Sequence, residues 1–137
     1  MKVNFINFSD PKDQKYFLLI GGEFVLKQDV TDKILQKLAN DGFTERVSIS
    51  QDELDKIQEI VSRNIGGSLF QKNLIIHIKH TSGKFPEKIK SLLEDGQIFK
   101  SLNIALIIES SIEKVPASGT WIGNFDSFGL IINCSKL

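Results

Sequence analysis

Cysteine is almost absent from this 137-residue chain, in which Cys134 is the single one. One cysteine cannot form an internal disulfide or a cysteine-rich metal site, so a reducing compartment is expected. Net charge is absent too, because seventeen basic and seventeen acidic residues cancel. A chain without an overall positive field does not gather phosphates, which disfavours tight, direct binding to nucleic acid.

Long hydrophobic runs are also missing. The start of the chain, Met1–Phe5, contains no extended apolar signal region, and no run approaches the length of a membrane span. We therefore expect a cytoplasmic protein without a membrane partner. With 41% hydrophobic and 25% charged residues, the composition predicts one globular domain large enough to bury a core.

The apolar segments predict alternating strands and helices. Tyr16–Ile20 is a continuous apolar run followed by two glycines, which is typical of a strand buried on both faces of a parallel sheet. Leu26, Val30, Ile34 and Leu38 then recur every four residues and predict a helix over about 24–39. Further strands are expected over 43–50, 73–79, 103–108 and 129–134, and further helices after Ser50, with Glu53 completing a capping box, and after Pro86.

This alternation predicts a three-layer α/β domain with a five-stranded parallel sheet over residues 16–137, preceded by a polar, turn-rich lead-in over residues 1–15. The segment 109–128 is the least regular, because Pro116, Gly119 and Gly123 weaken any helix there. Its aromatic residues are expected to anchor it to the core: Trp121, Phe125 and Phe128.

The turn after the first strand is where a phosphate-binding loop would lie. Aligned on G-x-x-x-x-G-K-[ST], the sequence keeps Gly21 and Lys27, with Gly22 beside them, but has Leu26 for the second glycine and Gln28 for the hydroxyl that would hold magnesium. The third strand ends in Lys79 and His80 rather than in a metal-binding carboxylate. The loop is therefore degenerate, and ATP hydrolysis is not expected.

Other catalytic chemistry finds no support in the sequence. His77 and His80 are too few for a metal site, and we expect a packed His77 and a solvated His80. Glu109 follows the fourth strand without an identifiable acid or base companion, and no G-x-S-x-G nucleophile turn occurs. No catalytic residue, metal or cofactor is predicted.

The segment Gly66-Gly67-Ser68-Leu69-Phe70 lies between the second helix and the third strand. Two glycines loosen the backbone, and the large apolar residues after them could stand out from a rigid body as a plug. The alternative is that Leu69 and Phe70 fold back under the sheet, as apolar residues beside a strand usually do.

The order of these features resembles the first domain of the delta subunit of the bacterial DNA polymerase III clamp loader. The resemblance covers about residues 16–137. It rests on five stretches: Tyr16–Glu23 (YFLLIGGE), the helix end at Asp41–Phe43, Val47–Ser50, Ser68–Phe70 before the third strand, and Trp121 between the fourth and fifth.

The resemblance implies a RecA-like AAA+ module with a decayed phosphate loop that does not hydrolyse ATP. It also implies a site: Leu69 and Phe70, flanked by Ser68 and Gln71, would insert into a hydrophobic pocket of the sliding clamp (beta subunit) and help to open the ring. Other clamp-loader subunits would be bound mainly through lid and collar domains that this chain does not contain, and DNA only indirectly through the complex. The chain would then be a fragment or a truncated form.

Two alternatives stay open at this point. One is a domain that retains weak nucleotide affinity through Lys27. The other is a structural adaptor unrelated to replication, with Leu69 and Phe70 buried in its own core.

Overall fold

The computed structural model describes residues 2–4, 14–64, 73–81, 85–101, 103–114 and 119–134. The strands are β1 (Lys2–Asn4), β2 (Tyr16–Ile20), β3 (Glu45–Ile49), β4 (Leu74–His80), β5 (Ile104–Ser110) and β6 (Leu130–Asn133). The α-helices are α1 (Phe24–Asn40), α2 (Ile57–Asn64), α3 (Glu87–Asp95) and α4 (Thr120–Phe128), and short 3₁₀ segments cover Gln51–Lys56 and Gln97–Lys100.

The six strands form one parallel sheet in the order β1-β6-β2-β5-β4-β3. All five expected strands are present, with β2 and β5 at the centre. The sheet has one strand more than predicted, because Lys2–Asn4 pairs with Ile131–Asn133 at one edge. Three residues are too few for a periodic pattern, so the sequence predicts only a lead-in here.

Helices cover both faces of the sheet, which gives the predicted three-layer α/β arrangement. On one face α1 packs through Val30, Ile34 and Leu38 against Phe17 and Ile107. On the other face α2, α3 and α4 cover a second cluster, whose most enclosed members include Ile57, Ile89, Phe125, Ile76 and Leu106. Successive side chains of a strand point to opposite faces, so each central strand contributes to both clusters.

The first helix has its predicted bounds to within one residue, whereas the segment after Ser50 begins as a 3₁₀ helix and becomes α-helical only at Ile57. The stop after α1 is confirmed: Gly42 has φ +95° and donates its N–H to Ala39 O. The predicted capping box is also present, since the Glu53 carboxylate accepts from the backbone N–H of Ser50 at 3.3 Å and from its hydroxyl at 2.9 Å. These two bonds lower the pKa of Glu53. The box opens the 3₁₀ segment, and α2 follows it.

The segment 109–128 corrects an expectation, because its second half is the helix α4. Trp121 and Phe125 are buried as predicted, and Trp121 stacks on Phe85 with ring centroids 4.6 Å apart. Phe128 is 54% exposed, although it stacks on Phe99. Apolar packing along one side of α4 therefore outweighs the poor helix propensity of Gly123.

No helix within the described ranges has both the length and the apolar character needed to cross a membrane.

Candidate functional site: the degenerate phosphate loop and the ends of β4 and β5

The turn between β2 and α1 lies at the carboxyl edge of the parallel sheet, where ligands of such sheets usually bind. Gly21 has φ +105°, a conformation that side chains disfavour, so the turn requires glycine there. Its N–H donates to the carbonyl of Ile112 at 2.8 Å. Glu23 is the N-cap of α1 but makes no side-chain capping hydrogen bond.

Lys27 lies in the first turns of α1 and is buried, with 8% of its surface exposed. Its Nζ donates to the backbone carbonyl of Ser110 at 3.2 Å. In a working phosphate loop the ammonium of this lysine reaches the terminal phosphates of the nucleotide. Here the lysine bonds to the end of β5, so its role in the structure is to tie α1 to the sheet.

His77 and Glu109 form a pair that the sequence did not predict. They project from neighbouring strands, and Nε2 of His77 lies 2.5 Å from Oε2 of Glu109. Glu109 therefore does have a companion, contrary to the expectation. Burial on its own raises the pKa of Glu109, but the His77 hydrogen bond and the positive charges of His77, Lys79 and Lys27 outweigh it and hold that pKa below the usual value.

This pair lies on the same face of the sheet as α1. His77 is two residues from Ile75 along β4, so the two side chains point to the same face, and Ile75 belongs to the cluster that α1 covers. His77 is 3% exposed, and within the described part of the chain its Nδ1 and the hydroxyl of Thr31 have no hydrogen-bond partner. The described residues contain no group of three or more potential metal ligands. The pair stabilises the centre of the sheet rather than offering a reactive group to solvent.

His80 was expected to be solvated and is in fact buried, with 2% exposed. It points to the opposite face from His77, where its ring packs edge-on to Phe85, and its Nδ1 lies 3.1 Å from the hydroxyl of Ser110. A serine beside a histidine suggests a nucleophile and its base. Ser110 is fully buried, however, so no substrate can reach its hydroxyl, and the contact serves to join the ends of β4 and β5.

The predicted plug, Leu69 and Phe70 with Ser68 and Gln71, lies outside the described residues, as do Gly66 and Gly67. The structure does locate the two ends between which it runs. α2 ends at Asn64, and β4 begins at Leu74, whose N–H donates to Asn103 O at 2.8 Å. β4 therefore begins at the amino-terminal edge of the sheet, opposite the glycine turn.

Three large apolar side chains are exposed among the described residues. Phe24 and Val25, each 70% exposed, lie side by side on the first turn of α1, next to the glycine turn. Phe128 lies at the other edge, before β6.

A groove of about 390 Å³ lies between the first 3₁₀ segment and α3, and is separate from the glycine turn. Five of its six lining residues, all but Leu54, are of polar or charged types, and Lys88 forms an ion pair with Asp55 across it. Both walls are helical, and nothing in this groove resembles a phosphate loop.

Sequence reasoning found the glycine turn and Lys27 but missed their partners. Ser110 and Ile112 act mainly through backbone carbonyls, which no sequence pattern reveals. For His77 and Glu109 a signal existed, since each is a titratable residue within or beside an apolar strand. Their pairing depends on the register of β4 and β5, which the sequence leaves undetermined.

The fold is that of a RecA-like three-layer α/β domain, with a glycine turn between β2 and α1 where a phosphate loop would lie. Among solved structures, the chain is similar to the Bacillus subtilis DNA clamp loader delta protein (YqeN), with a TM-score of 0.62 and 17% identity over 90% of this chain and 39% of that one. It is also similar to Saccharomyces cerevisiae RIF2, with a TM-score of 0.55 and 14% identity over 93% of this chain and 51% of that one.

At these identities the likeness is one of fold. No protein-family model and no curated protein sequence matches the chain. The chain spans about two fifths of the length of the delta protein and half that of RIF2.

Proposed function

We propose that the chain is a non-catalytic module of a bacterial DNA polymerase III clamp loader, of the delta type. In this proposal it binds the sliding clamp through a hydrophobic plug and helps to open the ring for loading onto DNA. The observation that carries the proposal is the fold that it shares, over 90% of its length, with a clamp loader delta protein. Fold alone does not assign function, so the site must support it.

The glycine turn supports the non-catalytic part of the proposal. Gly21 and Lys27 are the two retained elements of the phosphate loop, and both donate their hydrogen bonds to the end of β5 and the residues after it. The carboxylate next to the loop, Glu109, is paired with His77. A domain whose phosphate-binding groups are already occupied is suited to binding a partner protein, with no turnover of ATP.

The clamp-binding part rests on Leu69 and Phe70, with Ser68 and Gln71 as flanks. They follow two glycines on the connection into β4, which is held in the sheet between β3 and β5. A rigid sheet is a suitable support for a short protruding element. Burial of each apolar side chain in a pocket contributes roughly 1.5–3 kcal/mol before the cost of association, so surrounding contacts must add to the affinity.

The proposal includes the context of the complex. The sliding clamp is the direct partner, other clamp-loader subunits bind mainly through domains beyond this chain, and DNA is contacted only through the assembly. The protein then acts in the cytoplasm and needs no cofactor.

The test compares two double variants in titrations against a bacterial sliding clamp. Leu69→Ala with Phe70→Ala should abolish measurable binding, since the pair forms the centre of the interface. Phe24→Ala with Val25→Ala is the matched control, because it also removes one aromatic and one aliphatic side chain, here two exposed ones on the first turn of α1. The control should bind as the wild type does.

Three results would count against the proposal in different ways. Equal binding by both double variants would show that Leu69 and Phe70 are not the site. Loss of binding in the Phe24 and Val25 variant alone would move the interface to the first turn of α1. No binding by the folded wild type would favour a structural adaptor unrelated to replication.

A further inference from the structure

We infer that the segment Ser110–Glu113 is an internal ligand of the glycine turn. It makes, from within the chain, the contacts that a phosphate would make in a nucleotide-binding protein of this fold. The turn between β2 and α1 thereby keeps its conformation without any nucleotide. The inference rests on the proposed function, in which the domain does not use ATP, and adds how its glycine turn is held. The contacts that support it do not involve the clamp.

The first contact is to the backbone of the turn. Phosphate loops bind through backbone N–H groups that point into a concave turn. The N–H of Gly21, in the turn conformation that only glycine adopts easily, donates instead to the carbonyl of Ile112 at 2.8 Å. A short, direct hydrogen bond therefore occupies this donor.

The second contact is to the lysine. The Nζ of Lys27 lies 3.2 Å from the carbonyl oxygen of Ser110 and is buried with the rest of the side chain. A buried ammonium is costly without an oxygen partner. The Ser110 carbonyl supplies that oxygen where the phosphate of a nucleotide would otherwise do so.

The third contact brings an anionic oxygen to the turn. Oε1 of Glu113 lies 3.2 Å from the position that a Cβ of Gly22 would occupy, so the carboxylate lies directly against the glycine backbone. A carboxylate in this place opposes the approach of a phosphate, because like charges repel.

The segment is itself held from the other face of the sheet. The hydroxyl of Ser110 lies 3.1 Å from Nδ1 of His80 and accepts from the N–H of Ile112 at 3.4 Å. The N–H of Ser111 donates to His80 O at 3.2 Å. These contacts fix the direction of the chain after β5. They therefore hold the carbonyls of Ser110 and Ile112 in position to accept from Lys27 and Gly21. The chain that leaves β5 thus closes the turn.

Amide exchange followed by nuclear magnetic resonance tests this directly. In wild-type protein without nucleotide, the Gly21 amide should exchange more than about tenfold more slowly than in the unfolded chain, because it is bonded to Ile112 O. Addition of millimolar magnesium-ATP or pyrophosphate should leave the Gly21 and Lys27 resonances unchanged. Fast Gly21 exchange, or shifts of these resonances with either probe, would overturn the inference.

Two variants make the test specific. Ser110→Ala removes the hydroxyl that holds the segment, and Gly21 exchange should accelerate several-fold while the amide of Leu18 in β2 stays protected. Glu113→Gln keeps the backbone contacts, so Gly21 should stay protected. Unchanged Gly21 exchange in folded Ser110→Ala would contradict the anchoring role. Because no clamp is present, failure here is distinct from failure of clamp binding.

Discussion

Gly123 lies within α4 and Gly129 directly follows it, and the two should respond in opposite ways to the same methyl group. Gly129 joins α4 to β6 and packs against β2. A Cβ on Gly129 would lie 2.7 Å from the carbonyl oxygen of Tyr16 and 2.9 Å from both Tyr16 Cβ and Phe125 Cε1. A Cβ on Gly123, in the exposed part of α4, would meet nothing within 4 Å.

The magnitudes follow from these distances. Overpacking of a core typically costs about 1–3 kcal/mol, and here one of the atoms in the way belongs to the backbone of a central strand. We expect Gly129→Ala to lower the free energy of unfolding within that range. Gly123→Ala replaces a helix-interior glycine by the best helix former, and should raise the free energy of unfolding by about 0.5–1 kcal/mol.

Urea denaturation of the two variants beside the wild type measures both effects. With a slope of about 2 kcal/mol per molar urea, Gly129→Ala should lower the midpoint by about 0.5–1.5 M and Gly123→Ala should raise it by about 0.3–0.5 M. A neutral Gly129→Ala would refute the close approach of α4 and β6 to β2. A destabilising Gly123→Ala would refute the helical assignment of this segment.

Three further predictions concern the site. Lys27→Met leaves the buried Ser110 carbonyl without its partner, so it should lower the free energy of unfolding by about 1–3 kcal/mol in urea melts. Magnesium-ATP should not raise the melting temperature of the wild type or of this variant. ATP stabilisation that requires Lys27 would instead support residual nucleotide binding. The pKa of Glu109 in the folded protein lies below its ordinary value of 4.5, so the unfolded chain takes up this proton at higher pH, and wild-type stability should fall as the pH drops below about 4.5. Glu109→Gln should lose less stability over the same acid range. Identical pH profiles of the free energy of unfolding would contradict the pairing with His77. Burial raises the pKa of Cys134 to about 11, so its thiol should resist alkylation at pH 8 in the native protein and react in urea, whereas fast native labelling would place it at the surface.

The central strands were predictable because burial on both faces makes them continuously apolar, as in Tyr16–Ile20. α1 was predictable for the complementary reason, since Val30, Ile34 and Leu38 recur with the helical period. In both cases the local pattern reports the tertiary environment directly.

Other features depend on contacts distant in sequence. α4 contains glycine and no capping side chain, and it forms because Trp121 and Phe125 pack on the sheet. His80 was expected to be solvated, whereas the pleat of β4 turns its ring toward Phe85. The partners of Gly21 and Lys27 are backbone carbonyls, whose position only the folded chain determines.

Calorimetric titration of the wild-type chain into a bacterial sliding clamp measures the proposed clamp binding itself. We expect saturable binding that is unaffected by magnesium-ATP and that disappears when Leu69 and Phe70 are both replaced by alanine. If a folded, cooperatively melting wild-type chain did not bind the clamp, the proposed function would be wrong.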